Sequence, residues 1–434
     1  MKETRAALSL LIFIIAIHVA YLLPQSSDSK ILAENFAPSV CPGALDGAKA
    51  TLLLPSGKVP TKLITAPRSQ FREKGSGTIS VTGSAPIVEG DARNSVEVQS
   101  ASGKWSTAVN CSSGEVESWF VGGNGEVSSR GKLIMDNSGL SDATVKVTPF
   151  TENGPLAASS FTIKAASEKT IRIDSLAPGA ARTIFKVEVI SGRVTTFFFD
   201  ERVKGLKNLG GDFVHSSQPA RTINLPAVPA DYGKGSKFTY RLRLMATGKF
   251  DGTANVEVLA KDGVFVPVGL SEISFNSQEV VDVPIKDFAA GKSNFALKVI
   301  ATTPVVAALY TDVSLNRMSD FAWVTSASSF RTTSINLYGL EPTLTFVGDR
   351  ISITIQWRNK SGKITRKSLV GDEILNWKVP PNTRLITITN YTSSAGALSW
   401  KTADGVAFLP LVSGAAPDSA TRPIADIAVI QPST

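Results

Sequence analysis

At 434 residues the chain exceeds one ordinary core, and 43% apolar with 19% charged residues is a globular rather than a disordered composition. Its formal charge of +8 is mild. That charge could suit contact with anionic lipid head groups or phosphate-bearing polymers, but basicity alone is weak evidence and a solubilising surface is the preferred reading.

Lys2 and Arg5 precede an apolar run, Ala6 to Leu23, that lacks Asp, Glu, Lys and Arg. Eighteen helical residues span about 27 Å, close to the hydrocarbon core of a bilayer. Positive charge ahead of the run predicts a cytoplasmic N-terminus with everything after Pro24 outside. Residues 1–24 are therefore expected to be a signal anchor contacting the membrane through residues 6–23. The alternative is a cleaved signal peptide, although His18 fits an A-x-A cleavage pattern poorly. Residues 25–40 read as a polar spacer.

Cys41 and Cys111 are the only cysteines and both fall in the exported part. An oxidising compartment favours one disulfide between them, closing a loop of about 70 residues worth roughly 4 kcal/mol. No Cys-x-x-Cys exists, and two cysteines with His215 make a poor zinc set, so no metal or other cofactor is expected.

After residue 23 no helical periodicity of useful length appears. Residues 41–116 hold short strand candidates at Ala50–Leu54, Thr61–Thr65, Thr78–Thr82 and Ser95–Val98, punctuated by turn residues. Repeats follow. Ala143-x-Val145-x-Val147, Phe185-x-Val187-x-Val189 and Arg193–Phe197 recur about 110 residues later. There they become Ala254-x-Val256-x-Val258, Phe295-x-Leu297-x-Val299 and Pro304–Ala308. Ser216-Ser217 before Ile223-Asn224-Leu225 matches Ser328-Ser329 before Ile335-Asn336-Leu337. A more compact third unit carries Ile351-x-Ile353-x-Ile355 and Leu385–Ile388. About seven alternating strands per 100 residues predict an all-β chain of tandem immunoglobulin-like β-sandwiches at 117–215, 216–327 and 328–412, with a propeller ranked below. Residues 413–434 form a tail whose Pro423–Ile430 segment looks like one last edge strand. Val194–Phe199 is aromatic enough to predict a buried strand or a contact between units.

No catalytic constellation emerges. His215 lies in what reads as an exposed Gly/Ser-rich linker, Gly210–His215, and His18 lies in the apolar run. The acid pairs Asp200/Glu201, Glu115/Glu117 and Asp372/Glu373 read as strand-end or turn residues, because strand neighbours point to opposite faces. Gly233–Lys237 lacks the spacing of a phosphate loop, Gly122–Gly125 precedes no helix, and Ser27-x-x-Lys30 sits in the spacer. The binding-type feature is Trp357–Lys367, a hairpin in which Arg358, Lys360, Lys363, Arg366 and Lys367 meet no acid. It is a candidate contact for anionic envelope polymer or lipid head groups. Trp119, Trp323 and Trp400 are expected in the core; Trp105, Trp357 and Trp377 complete the set that could stack on sugars. Nucleic acid is not an expected partner.

The order Val109-Asn110-Cys111-Ser112, Ser118-Trp119-Phe120, Lys132–Asn137, Ser191-Gly192-Arg193-Val194 and Pro304–Leu309, with Cys41-Pro42, resembles an actinobacterial family across nearly the whole exported part. Its members are exported, single-pass or secreted envelope proteins known only as a domain of unknown function, often encoded near cell-wall glycosyltransferases. The resemblance implies location and the two-cysteine pairing, and brings no catalytic residues. The expectation is a non-catalytic, membrane-anchored envelope scaffold that bridges a protein complex or wall polymer. A glycan- or anionic-polymer-binding module is the alternative, and a carboxylate hydrolase ranks third.

Overall fold

The computed structural model describes residues 38–54, 58–75, 77–88, 95–230, 236–285, 293–315 and 318–413, with Ile14, Ile31–Ala33 and Ala420–Thr421. The Ala6–Leu23 run, apart from Ile14, and the Pro423–Ile430 segment lie outside them. Among the described residues no helix is long and apolar enough to cross a membrane. The chain divides into Ala37–Ala415 and a smaller unit made of both ends. In the latter, Ile31–Ala33 pairs antiparallel with Ala420–Thr421.

Among the described residues the larger unit is all-β, as the period-two alternation predicts, with one short helix at Ile173–Leu176. Its first block holds two four-stranded sheets. One contains Lys49–Leu53, Thr78–Val81, Val96–Ala101 and Trp105–Asn110; the other holds Ser39–Val40, Lys58–Leu63, Arg72–Gly75 and Pro86–Val88. The Cys41–Cys111 disulfide, with Cα atoms 4.3 Å apart, is buried among Leu52, Leu54, Val59 and Val88.

The second block is a sandwich. In one sheet, Thr183–Ser191 lies between Ala143–Thr151 and Glu117–Val121; in the other, Lys132–Asn137 and Val194–Lys204 pair between Ser167–Arg172 and Lys207–Val214. The third block repeats this order. Its Phe295–Leu315 strand is long enough to serve both sheets: its first half pairs with Ala220–Val228 and Gly252–Ala260, its second with Ser236–Ala246 and Met318–Thr325. The repeated sequence motifs thus fall on equivalent strands. The fourth block is wound differently. Thr343–Asn359 pairs with Ala395–Lys401 by its first half, with Thr383–Asn390 by its second, and with Ile364–Lys378 along most of its length.

The blocks pack through faces that isolated sandwiches would leave wet. On Val194–Lys204, Phe198 points into its own sandwich core, whereas Phe197 and Phe199 pack with Trp105 of the first block. The Trp105 and Phe199 rings lie 4.9 Å apart. Consecutive aromatics are what a strand covered on both faces requires. Val305-Val306-Ala307-Ala308 follows the same logic. Val305 and Ala307 enter the third block's core, and Val306 and Ala308 join the core of the second.

Asp136 shows what that double burial does to a charge. It is fully buried on Lys132–Asn137 with neither carboxylate oxygen hydrogen-bonded among the described residues. Burial first, then Glu168 and Glu97, push its carboxyl well above the usual range. Such a group favours the fold when protonated and destabilises it progressively as pH rises from about 4 through the elevated folded-state value. Asp136→Asn is therefore expected to stabilise the protein by about 1–2 kcal/mol near pH 8, with the gain vanishing toward about pH 4. Urea melts across that range check the sign; a gain that grows on acidification would contradict it.

Candidate functional site

One strand from each of the four blocks meets at the centre: Trp105–Asn110, Lys207–Val214, Met318–Thr325 and Val406–Pro410. Carboxylates lock them. Asp212 accepts from Thr107 Oγ1 at 2.6 Å and from the Trp323 amide at 2.8 Å, tying three blocks together. Asp320 accepts from the Gly211 amide at 3.2 Å and the Val406 amide at 2.9 Å, adding the fourth. Both are fully buried, and burial pushes both carboxyls well above their ordinary range against the opposing pull of these hydrogen bonds. Close approach to Asp320 demands glycine twice. A Cβ at Gly405 would lie 1.9 Å from Asp320 Oδ2, and one at Gly210, whose φ is +128°, would lie 2.6 Å from Oδ1.

A second set of polar bolts surrounds Trp323. Its indole N–H donates to Asp200 at 2.9 Å, and Arg202 donates to the same oxygen at 3.0 Å. The Arg202 guanidinium also lies over Tyr310 at 4.4 Å. Arg243 donates to both oxygens of Asp282, at 2.7 and 3.0 Å, and to the carbonyls of Gly123 and Thr183 in the neighbouring block. Burial raises Asp282, but the charges of Arg243, Arg241 and Arg182 outweigh it and hold the carboxyl below its ordinary value.

The structure corrects two readings of the sequence. Asp200 is not a strand-end solubility residue but a fully buried group in mid-strand. The Gly210–His215 stretch is not an exposed linker: residues 210–214 belong to the Lys207–Val214 strand, and His215 is only 7% exposed. Glu201 does face away from Asp200, accepting from Asn208. Asp200, Asp212 and Asp320 cluster, yet each is sealed from solvent, so no substrate reaches them in this conformation.

The four central strands all end at one cleft of about 490 Å³, within the range of small-molecule pockets. It is lined by the last residues of those strands and the residues that follow them, Val109–Glu115, Val214–Ser216, Ser326–Ser329 and Pro410–Ser413, joined by Ser39, Ser118, Phe120, Thr196–Phe198 and Gln218. Ten of these side chains are Ser or Thr hydroxyls, and none is Lys or Arg. Glu115 is the one carboxylate; it accepts from Ser118 at 3.1 Å and from Ser216 at 2.8 Å. His215 forms part of the wall, its ring edge-on to Phe408. Neither of its ring nitrogens has a hydrogen-bond partner among the described residues, and burial pushes the imidazole down to about 3. It is neutral at physiological pH and is hydrogen-bonded to no serine, so a nucleophile–base pair is not assembled here. The sequence carried one signal of this cleft, the Ser-Ser pairs recurring at unit junctions.

The other candidates read from the sequence lie away from this cleft or in the core. Glu117 pairs with Lys186 at 2.9 Å and accepts from the Trp119 indole. Asp372 is exposed and Glu373 half-buried in the Ile364–Lys378 strand. Trp119, Trp323 and Trp400 are core residues as expected, and Trp105 and Trp377 are buried too. Trp357 is half-buried, 5.4 Å from Trp377, so none of the six indoles forms an exposed platform for sugar stacking. Arg358, Lys360, Lys363, Arg366 and Lys367 are all exposed and form no ion pair among the described residues. They do not share one face. Arg358 opposes Ile364 and Gln356 opposes Arg366, whereas Lys367 opposes Ile355 on the other side and Lys360 and Lys363 sit in the turn.

No curated protein matches the chain in sequence. Similar solved structures include a tetra-tandem repeat from the extending region of a large adhesion protein, at 9% identity and TM-score 0.11, covering 85% of this chain and 93% of that one. A trypsin-activated alpha-2-macroglobulin from Escherichia coli, at 10% identity and TM-score 0.13, covers 86% of this chain, which spans only 30% of that protein. Likeness this slight bears on neither fold nor function. The sequence signature of the Family of unknown function (DUF5719) matches residues 81–370, which contain both sandwich repeats and three of the four central strands, and the chain belongs to that family.

Proposed function

We propose that the protein is a non-catalytic interaction module of the cell envelope. It would be exported and held at the membrane through residues 6–23, or released, and would act as a rigid platform for a protein complex or wall polymer. The observation that carries this reading is the set of carboxylates, buried Asp200, Asp212 and Asp320 and half-buried Asp282, that hydrogen-bond across block boundaries or brace the residues that do. Such groups destabilise the chain unless the partner block is in place, so they make the blocks interdependent and fix their relative positions. The buried Cys41–Cys111 pair supports an oxidising compartment and the actinobacterial two-cysteine pattern. Affinity purification of the full chain from detergent-solubilised membranes, after crosslinking in intact cells, is expected to recover a stable protein complex. Recovery of neither a protein complex nor wall polymer would overturn the scaffold reading, and wall polysaccharide recovered without protein would reduce it to a polymer-binding module.

The exposed cationic hairpin favours a second reading, contact with an anionic polymer or lipid surface. Neutralising Arg358, Lys360, Lys363, Arg366 and Lys367 together is expected to reduce co-sedimentation with anionic liposomes or purified wall by about tenfold at low salt. Unchanged sedimentation would remove this reading.

A further inference from the structure

We infer that the cleft at the ends of the four central strands is a binding site for a neutral, polyhydroxylated ligand of oligosaccharide class. This site presupposes that the chain is a binding protein rather than an enzyme, and it puts the binding at a place other than the cationic hairpin.

Three observations carry it. First, the polar groups of the wall are ten hydroxyls, two primary amides, one carboxylate and the His215 imidazole, set among apolar residues and with no Lys or Arg. Phosphate or carboxylate ligands would meet Glu115 and no compensating charge, whereas sugar hydroxyls can donate to Glu115 and exchange hydrogen bonds with serines that both donate and accept. Second, seven of the ten hydroxyls come from the segments after the four central strands, one segment from each block. The buried ties at Asp212 and Asp320 fix those segments relative to one another, so the site is preorganised and ordering costs little on binding. Third, His215 stands in the wall neutral and with both nitrogens unpaired among the described residues. An unpaired buried imidazole costs free energy in the absence of a ligand, and a ring turned toward the cleft would offer one donor and one acceptor to a sugar hydroxyl.

A peptide is the competing occupant, and the geometry favours it less. Peptides dock by adding a strand to a sheet edge or by seating apolar anchors in a groove. The cleft is lined chiefly by segments that follow strands, and its aromatic residues Phe120, Phe197 and Phe198, which could have seated apolar anchors, are already buried in the protein's own cores.

The test is saturation-transfer NMR and calorimetry on the full chain with maltotriose, mannotriose and chitotriose, alongside a penta-alanine peptide. At least one trisaccharide is expected to bind with millimolar or better affinity. Ser328 is exposed at the mouth, so Ser328→Trp obstructs the cleft without touching the core and is expected to abolish binding. Glu115→Ala, also at an exposed position, is expected to weaken binding about tenfold, the loss of one charge-assisted hydrogen bond. The variant with all five hairpin cations neutralised should bind as well as the parent. Absence of binding by all three sugars, binding of the peptide alone, or full affinity in Ser328→Trp would overturn the inference. The scaffold reading has a separate readout, recovery of a protein complex from membranes, and can stand or fall without it.

Discussion

Trp323→Ala is expected to lower the stability of the protein by about 4–5 kcal/mol. The side chain is fully buried, and unlike most core tryptophans it serves two blocks at once. Truncation removes packing against the second block's core and opens a cavity that rigid sheets on either side cannot close. It also strips Asp200 of its indole donor and leaves that carboxylate to Arg202 alone. Trp323→Phe separates the two contributions. It retains most of the packing and should cost about 1–3 kcal/mol, chiefly the lost indole hydrogen bond to an oxygen that keeps Arg202. Urea unfolding followed by circular dichroism gives both numbers. An alanine variant within about 1 kcal/mol of the parent would mean that the two sandwiches are not energetically joined through this residue.

Replacing Cys41 and Cys111 together by alanine is expected to cost about 4 kcal/mol, from the conformational freedom returned to an unfolded chain whose cross-link spans 70 positions. The loss should be localised as well as global. Val40 and Ser112 exchange backbone hydrogen bonds beside the bridge, at 2.8 and 2.9 Å, and bring the start of the first block against its end. Both sulfurs belong to residues that are buried, so the native protein is expected to resist reductant and to release its thiols only on unfolding. Thiol titration in the presence and absence of denaturant checks this. Rapid release of two thiols from the native protein would contradict the placement of the bridge.

The sandwiches were legible because their strands alternate with period two and because the alternation repeats after about 110 residues, so local chemistry and long-range order agree. The doubly covered strand at Val194–Phe199 was legible for the opposite reason. Three consecutive phenylalanines break the alternation, and only burial on both faces accommodates them. The junction was not legible. Asp200, Asp212 and Asp320 look like surface residues because charge is ordinarily solvated. Only their cross-block partners reveal otherwise, and for Asp212 and Asp320 those lie between 86 and 111 positions away. Gly210-Gly211 reads as a loop signal, yet Gly210 is there to admit Asp320. The cleft had a partial signature in Ser216-Ser217 and Ser328-Ser329. Their spacing marks the unit junctions, but nothing in a linear pattern says that successive junctions converge on one point.

Four β-blocks thus form one cooperative body around buried cross-block carboxylates, and that body places four serine-rich segments around one cleft. Native-state hydrogen exchange read by mass spectrometry tests this most directly, using peptides that cover Trp105–Asn110, Lys207–Val214, Met318–Thr325 and Val406–Pro410. All four strands are expected to share a single opening free energy, and Asp212→Ala is expected to lower it in all four by the same amount. Four separate opening energies, or an Asp212→Ala effect confined to Lys207–Val214, would show blocks that open independently and would contradict the account.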